Sequence, residues 1–258
     1  MSVIHRQIRQ DMQKLIDQLS THDLPAVKAV DQVWEDLNQL QLQYQIEIAH
    51  LRFQDETDQL NETITIKNRG TLIADLSGWT IEAGSPHQIY TFPEHSLLHP
   101  HQQFVVHTSG EHTHSFQFHH PIWNNRGDLA TLKNHQGDVV CYWAYGQHAH
   151  SDVVISRIKA DGHEGRGEGD EFIEIVNISE HIVDLSDWQV TSVRNQTTFT
   201  FPPGSKLRPG ASLKIFTDKT TLAENEYSFN SHRALWNNQG GGAELIDYLG
   251  CMVSVYQY

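Results

Sequence analysis

The chain has 258 residues, of which 38% are hydrophobic and 19% charged, enough apolar material for one large core or two mid-sized ones. Acidic residues outnumber basic ones 32 to 18, and the resulting net charge of −14 repels phosphate backbones and anionic membranes, so no nucleic-acid partner is expected. Cys141 and Cys251 make no disulfide framework, no apolar run approaches the roughly 18 residues of a membrane span, and the first residues lack a secretory apolar core, so a cytoplasmic protein is expected.

Residues 1–43 have a helical period. Ile4, Ile8, Met12, Leu15, Ile16 and Leu19 fall on one face of a helix. Ser20 to Pro25 then reads as a stop and restart, with Thr21 or Asp23 as cap and Pro25 in the first turn. Val27, Val30, Val33, Trp34, Leu37 and Leu40 continue the stripe. The expectation is an N-terminal α-helical hairpin or coiled-coil segment. Val27, Val33, Trp34 and Leu37 are its candidate partner-binding residues, set either for self-association or for packing on the same chain.

From Tyr44 onward the period changes to two. Ile46/Ile48, Ile64/Ile66 and Phe104/Val106 alternate with polar residues, as half-buried strands do. Turn residues such as Asn68-Arg69-Gly70, Ser77-Gly78, Pro93, Pro100 and Ser109-Gly110 interrupt the pattern about every ten residues, a spacing that suits a sandwich or barrel.

The strongest feature is an internal repeat. Asn68, Asp75, Leu76, Ser77 and Trp79 match Asn177, Asp184, Leu185, Ser186 and Trp188, all at an offset of 177 − 68 = 109. Thr91-Phe92-Pro93 matches Thr200-Phe201-Pro202, and Leu98, Pro100 and Thr108 match Leu207, Pro209 and Thr217, at the same offset. After Thr217 the offset becomes 236 − 123 = 113, which pairs Trp123-Asn124-Asn125 with Trp236-Asn237-Asn238 and Gly127, Gly137 and Tyr145 with Gly240, Gly250 and Tyr258. One small insertion reconciles the two copies.

Each repeated type has a mechanical reason. An Asn at a strand end closes a turn on its own backbone. The Asp-Leu-Ser-x-Trp segment turns into the next strand and drops an indole into the core. Pro93 and Pro202 lack the donor to continue a strand. Gly127/Gly240 and Gly137/Gly250 permit the positive φ of tight hairpins. Gly240-Gly241-Gly242, where the first copy has Gly127-Asp128, predicts a looser hairpin in the second.

These segments resemble the lamin tail domain, an immunoglobulin-like module of nuclear intermediate-filament proteins and of many bacterial proteins. The resemblance rests on residues 61–81, 91–106 and 122–140, and again on 170–190, 200–217 and 235–250. It implies two tandem immunoglobulin-like β-sandwiches over 44–148 and 150–258, hence an all-β fold behind the helical segment. It also implies a docking or adhesion role, sometimes as an accessory to a catalytic domain.

Histidine is the compositional oddity. Of 18 histidines, 13 lie between His50 and His150. The pairs His99/His101 and His112/His114 are metal-ligand candidates, because residues two apart on a strand share a face. Asp161, Glu164 and Asp170, in a Gly-rich loop that also holds Glu168 and Glu171, are candidates for Ca²⁺. Against both readings stand a solvated histidine surface and an exposed acidic loop. No nucleophile elbow, phosphate loop or dinucleotide fingerprint occurs, so no enzyme and no cofactor are expected. The expected function is a non-catalytic binding, scaffolding or assembly protein with protein partners. The alternatives are a metal-binding module and an accessory subunit of a nuclease or secretion system.

Overall fold

The computed structural model describes residues 45–54, 60–163 and 167–258. The N-terminal segment 1–43, with Val27, Val33, Trp34 and Leu37, and Glu164 of the acidic loop lie outside them. The described residues are all-β: 19 strands and one short 3-10 turn, Gln147–Ala149. None of their helices is long and apolar enough to cross a membrane. The chain divides into two units between Trp143 and Ala144.

The first unit contains β1 (Ile46–Arg52), β2 (Thr63–Asn68), β3 (Ala74–Asp75), β4 (Thr80–Glu82), β5 (Ile89–Thr91), β6 (Leu97–Leu98), β7 (Gln103–His107), β8 (Gly127–Lys133) and β9 (Val139–Gly146), the last running across the division. One sheet has the order β1-β2-β7, a second places β9, β8, β4 and β5 side by side, and β3 pairs with β6. The second unit contains β10 (Val153–Lys159), β11 (Phe172–Asn177), β12 (His181–Asp184), β13 (Gln189–Ser192), β14 (Thr198–Thr200), β15 (Lys206–Leu207), β16 (Ser212–Phe216), β17 (Glu226–Ser228), β18 (Gly242–Ile246) and β19 (Met252–Gln257). Its sheets run β10-β11-β16-β17 and β14-β13-β18-β19, with β12 beside β15.

The copies coincide strand for strand except at β17, whose counterpart in the first unit makes only an isolated bridge from His107 to Ser115. β2 and β11 are central and antiparallel to both neighbours. The first strands even share an irregularity: the register slips between Ile48 and His50 on β1 and between Ile155 and Arg157 on β10. That bend lets a strand follow a twisted sheet while keeping its apolar residues inward. Ile64, Ile66, Ile81, Ala130 and Leu132 fill the first core, and Ile173, Ile175, Val190, Ala243 and Leu245 the second, all fully buried. Trp79 and Trp188 are 6% and 0% exposed and occupy equivalent core positions, as the repeat predicts. An indole so placed removes on the order of 200 Å² from water.

Positive φ recurs with the repeat as well. Gly78 (74°) matches Asp187 (62°), His87 (70°) matches Gln196 (57°), His95 (66°) matches Gly204 (82°), and His101 (62°) matches Gly210 (65°). The predicted glycines follow suit, with Gly127 and Gly240 at 131° and 123° and Gly137 and Gly250 at 87° and 80°. The bends are common to both copies while the residues occupying them differ.

The predicted looser hairpin at Gly240–Gly242 is corrected. Gly241 and Tyr258 exchange two backbone hydrogen bonds at 3.1 Å, and a Cβ on Gly242 would lie 2.7 Å from the carbonyl oxygen of Tyr256. These glycines allow close approach of the last strand; they do not slacken the turn.

Candidate functional site

The residues that recur most faithfully bind the chain to itself. Asn68 donates from Nδ2 to the carbonyls of Leu72 (2.7 Å) and Leu98 (2.9 Å), and its Oδ1 accepts from Gly70 N–H (2.9 Å). Asn177 repeats this with His181 (2.7 Å), Leu207 (2.9 Å) and Ser179 N–H (2.9 Å). Both asparagines are fully buried. Each satisfies three backbone groups that its departing strand leaves unpaired. Asp75 and Asp184 accept from the backbone N–H of Ser77 and Ser186 at 2.9 Å, which shapes the turn leading to each tryptophan. The two bonds from Ser77, side chain first, hold the Asp75 carboxyl below its usual range.

One recurring pair escaped the sequence reading. Glu62 and Glu171 share the 109 offset, 171 − 62, and are 1% and 0% exposed. Glu62 accepts from the Thr108 hydroxyl (2.9 Å), Ile122 N–H (2.9 Å) and Trp123 N–H (3.3 Å). Glu171 accepts from the Thr217 hydroxyl and Leu235 N–H, both at 3.0 Å. Each carboxylate thus ties the entry of its central strand to the end of the next strand and to the loop before the Trp-Asn-Asn segment. Burial raises both, and it pushes Glu171 up to about 7 against the opposing pull of Leu235, Thr217 and Trp236. In the sequence Glu171 looked like one more acid of the Gly-rich loop; the repeat offset was the signal that separated it from its neighbours.

The predicted metal candidates are spread apart. His99 and His101 are exposed in the turn between β6 and β7, where His101 takes a left-handed conformation. His112 and His114 have different neighbours. The ring of His112 stacks on His107 at 3.6 Å and 13°. His114 accepts or donates at Nδ1 with the Tyr90 hydroxyl at 2.6 Å and packs 4.6 Å from the ring centre of Phe104 and 5.7 Å from that of Phe92. Burial lowers His114; burial, then His112 and Arg52, lower His107; burial raises Tyr90 to about 12. Asp161 is exposed, while Asp170 pairs with Lys159 Nζ (2.6 Å) and accepts from His163 N–H (2.7 Å). Among the described residues no three His, Cys, Asp or Glu side chains converge as metal ligands would.

The second unit also places imidazoles on carboxylates: His150 Nε2 on buried Asp247 at 2.8 Å, and His181 Nδ1 on buried Asp152 at 2.6 Å. These pairs anchor the segment ahead of β10 to the body of its own unit. Cys141 is partly buried, and its Sγ accepts from Ile48 N–H at 3.4 Å, a packing role for the thiol.

Comparison with curated proteins returns no match. Among solved structures the chain is similar to one described under the inhibition of the exo-β-D-glucosaminidase CsxA by castanospermine and australine analogues. The identity is 10% and the TM-score 0.31, over 83% of this chain and 26% of that one, so the chain spans about a quarter of that protein's length. A likeness at that level bears on no function. The model of the lamin tail domain matches twice, over residues 43–147 and 146–258. With the same asparagine, aspartate, tryptophan and glutamate in each copy, the chain belongs to the lamin tail domain family and carries two tandem copies of it.

Proposed function

We propose that this chain is a non-catalytic scaffolding protein: two immunoglobulin-like lamin tail domains that bind protein partners, preceded by an amphipathic segment that joins copies of the chain. One observation carries the reading. The residue types that do chemistry elsewhere (Glu62/Glu171, Asn68/Asn177, Asp75/Asp184) are engaged in bonds within their own domain, which leaves them a structural use. Support for self-association comes from the sequence, where Val27, Val33, Trp34 and Leu37 form an apolar stripe that needs a partner surface.

The test is light scattering on the full chain and on a chain beginning at Tyr44. The expected result is a multiple of the 29.5 kDa chain mass for the former and a single-chain mass for the latter. A single-chain mass for both removes self-association. A turnover of any substrate class by the shorter chain removes the non-catalytic reading.

A further inference from the structure

We propose that residues 112–118 form an acid-sensitive strap on the first copy, held on β7 by neutral imidazoles at His107, on which His112 stacks, and at His114, and released on protonation of these two. The strap lies along β7 through two backbone bonds, His107 N–H to the His114 carbonyl (3.0 Å) and Phe116 N–H to the His107 carbonyl (2.8 Å), with a parallel bridge between His107 and Ser115. Two histidine contacts seat it, beside Phe116 packed on Tyr90 and Trp123. His112 stacks face to face on His107, and His114 fills a cage of Tyr90, Phe92 and Phe104.

Both contacts suit neutral rings and oppose charged ones. Two imidazolium rings 3.6 Å apart repel each other across a gap too thin for water. An imidazolium at His114 loses its hydration among aromatic carbons. The Tyr90 hydroxyl can turn from donating to accepting, so the cost lies in desolvating the charge and not in the hydrogen bond. The groups facing the pair, element by element, are Arg52 on β1, which adds positive charge beside His107, Tyr90 on β5, and Glu62, whose carboxylate bonds Thr108 at the root of the strap. Phe92 and Phe104 bring no charge.

The repeat supplies the internal comparison. In the second copy the same segment is β17, paired in parallel with β16 through Phe216 and Ser228, and Phe229 N–H donates to the Phe216 carbonyl at 2.8 Å as Phe116 does to His107. At an offset of 113, Asn225 stands for His112 and Tyr227 for His114, while Phe216 stands for His107 at 109. Tyr227 packs on Phe199 and Phe201 at 5.4 and 5.3 Å. The second strap has the same path with no histidine along it. The histidine-rich stretch therefore gives the first strap a loosening on acidification that its twin lacks, since the twin's raised group, Glu171 beside Thr217, favours the folded unit as the pH falls.

The sign follows from linkage. Burial holds His114 and His107 below the ordinary imidazole value of 6.5, so their neutral forms favour the closed strap. Closure is complete above that value and is lost as pH falls, with the opening constant rising about tenfold per pH unit for each proton taken up. Glu62, which is raised, works the other way.

The test is hydrogen exchange of the full chain between pH 7.5 and 5.5, corrected for intrinsic rates. The expected result is a tenfold or greater loss of protection at the Phe116 and His107 amides, with no loss at Phe229. In the double variant His112→Asn and His114→Tyr, which copies the second unit, the loss disappears. Unchanged protection in the wild type overturns the proposal, and so does a loss that persists in the double variant. A loss that vanishes in Glu62→Gln while persisting in the double variant assigns the response to the glutamate, and also overturns it. Should the double variant not fold, histidine ring titrations of the wild type decide: a His114 midpoint coincident with loss of Phe116 protection supports the strap, and titration without that loss refutes it.

Discussion

Replacing Glu171 by Gln isolates the energetic role of the buried carboxylate. In the folded second unit burial pushes its pKa up to about 7, against an ordinary value of 4.5. A difference of 7 − 4.5 = 2.5 corresponds to at most about 3.5 kcal/mol at roughly 1.4 kcal/mol per pH unit. The folded value is raised, so the stabilising contribution is fully present below pH 4.5, declines as the pH rises, and is gone above pH 7. Between pH 5 and pH 8 the second unit is expected to lose about 1–3 kcal/mol from this group. Gln cannot titrate, so the variant lacks that slope. Its amide also presents N–H toward the Trp236 N–H where an oxygen stood, which costs on the order of 1–2 kcal/mol at every pH. The expected signature is therefore a lower stability at pH 5 and convergence with the wild type by pH 8. Native-state hydrogen exchange of the slowest amides on β11 and β16 reads this unit by itself. Identical pH slopes in wild type and variant would refute the reasoning.

Asn177→Asp places a carboxylate oxygen against the His181 and Leu207 carbonyls in place of a donor, and the expected cost exceeds about 3 kcal/mol. Asn68→Asp is expected to do the same in the first unit, and thermal melts within a degree of wild type would show that the asparagines are not pins. His95→Gly and His101→Gly copy Gly204 and Gly210 of the second unit. Relief of the left-handed conformation, about 1–2 kcal/mol, exceeds the added freedom of the unfolded glycine, about 0.5–1 kcal/mol. Each variant is expected to melt a few degrees higher, and a lower melting temperature would assign those imidazoles a contact that holds the turn.

The repeat made the fold legible because its members act locally. Asn68/Asn177, Trp79/Trp188 and the Gly137/Gly250 turns each do a job set by a few flanking residues, and chain order displays that job. The buried glutamates were illegible for the opposite reason. Their partners lie 46 and about 60 residues away, at Thr108 and Ile122 and again at Thr217 and Leu235, and no local pattern marks a carboxylate as interior. The histidine pairs misled in a third way. His-x-His suggests a shared face only on an extended strand, whereas His101 bends the chain and His112 and His114 turn to separate neighbours. His is one of the few side chains that tolerate a left-handed backbone, and that tolerance explains part of their abundance in the first unit.

The matched left-handed bends carry a consequence for how the two halves diverged. What persisted after duplication is a set of torsions, not a set of side chains: a histidine in one half sits where a glycine sits in the other, and an aspartate replaces a glycine with the corner unchanged. Corners so indifferent to their occupants free the outer residues to drift toward separate uses. One half carries imidazole at several of these corners, and its twin builds the same corners without it.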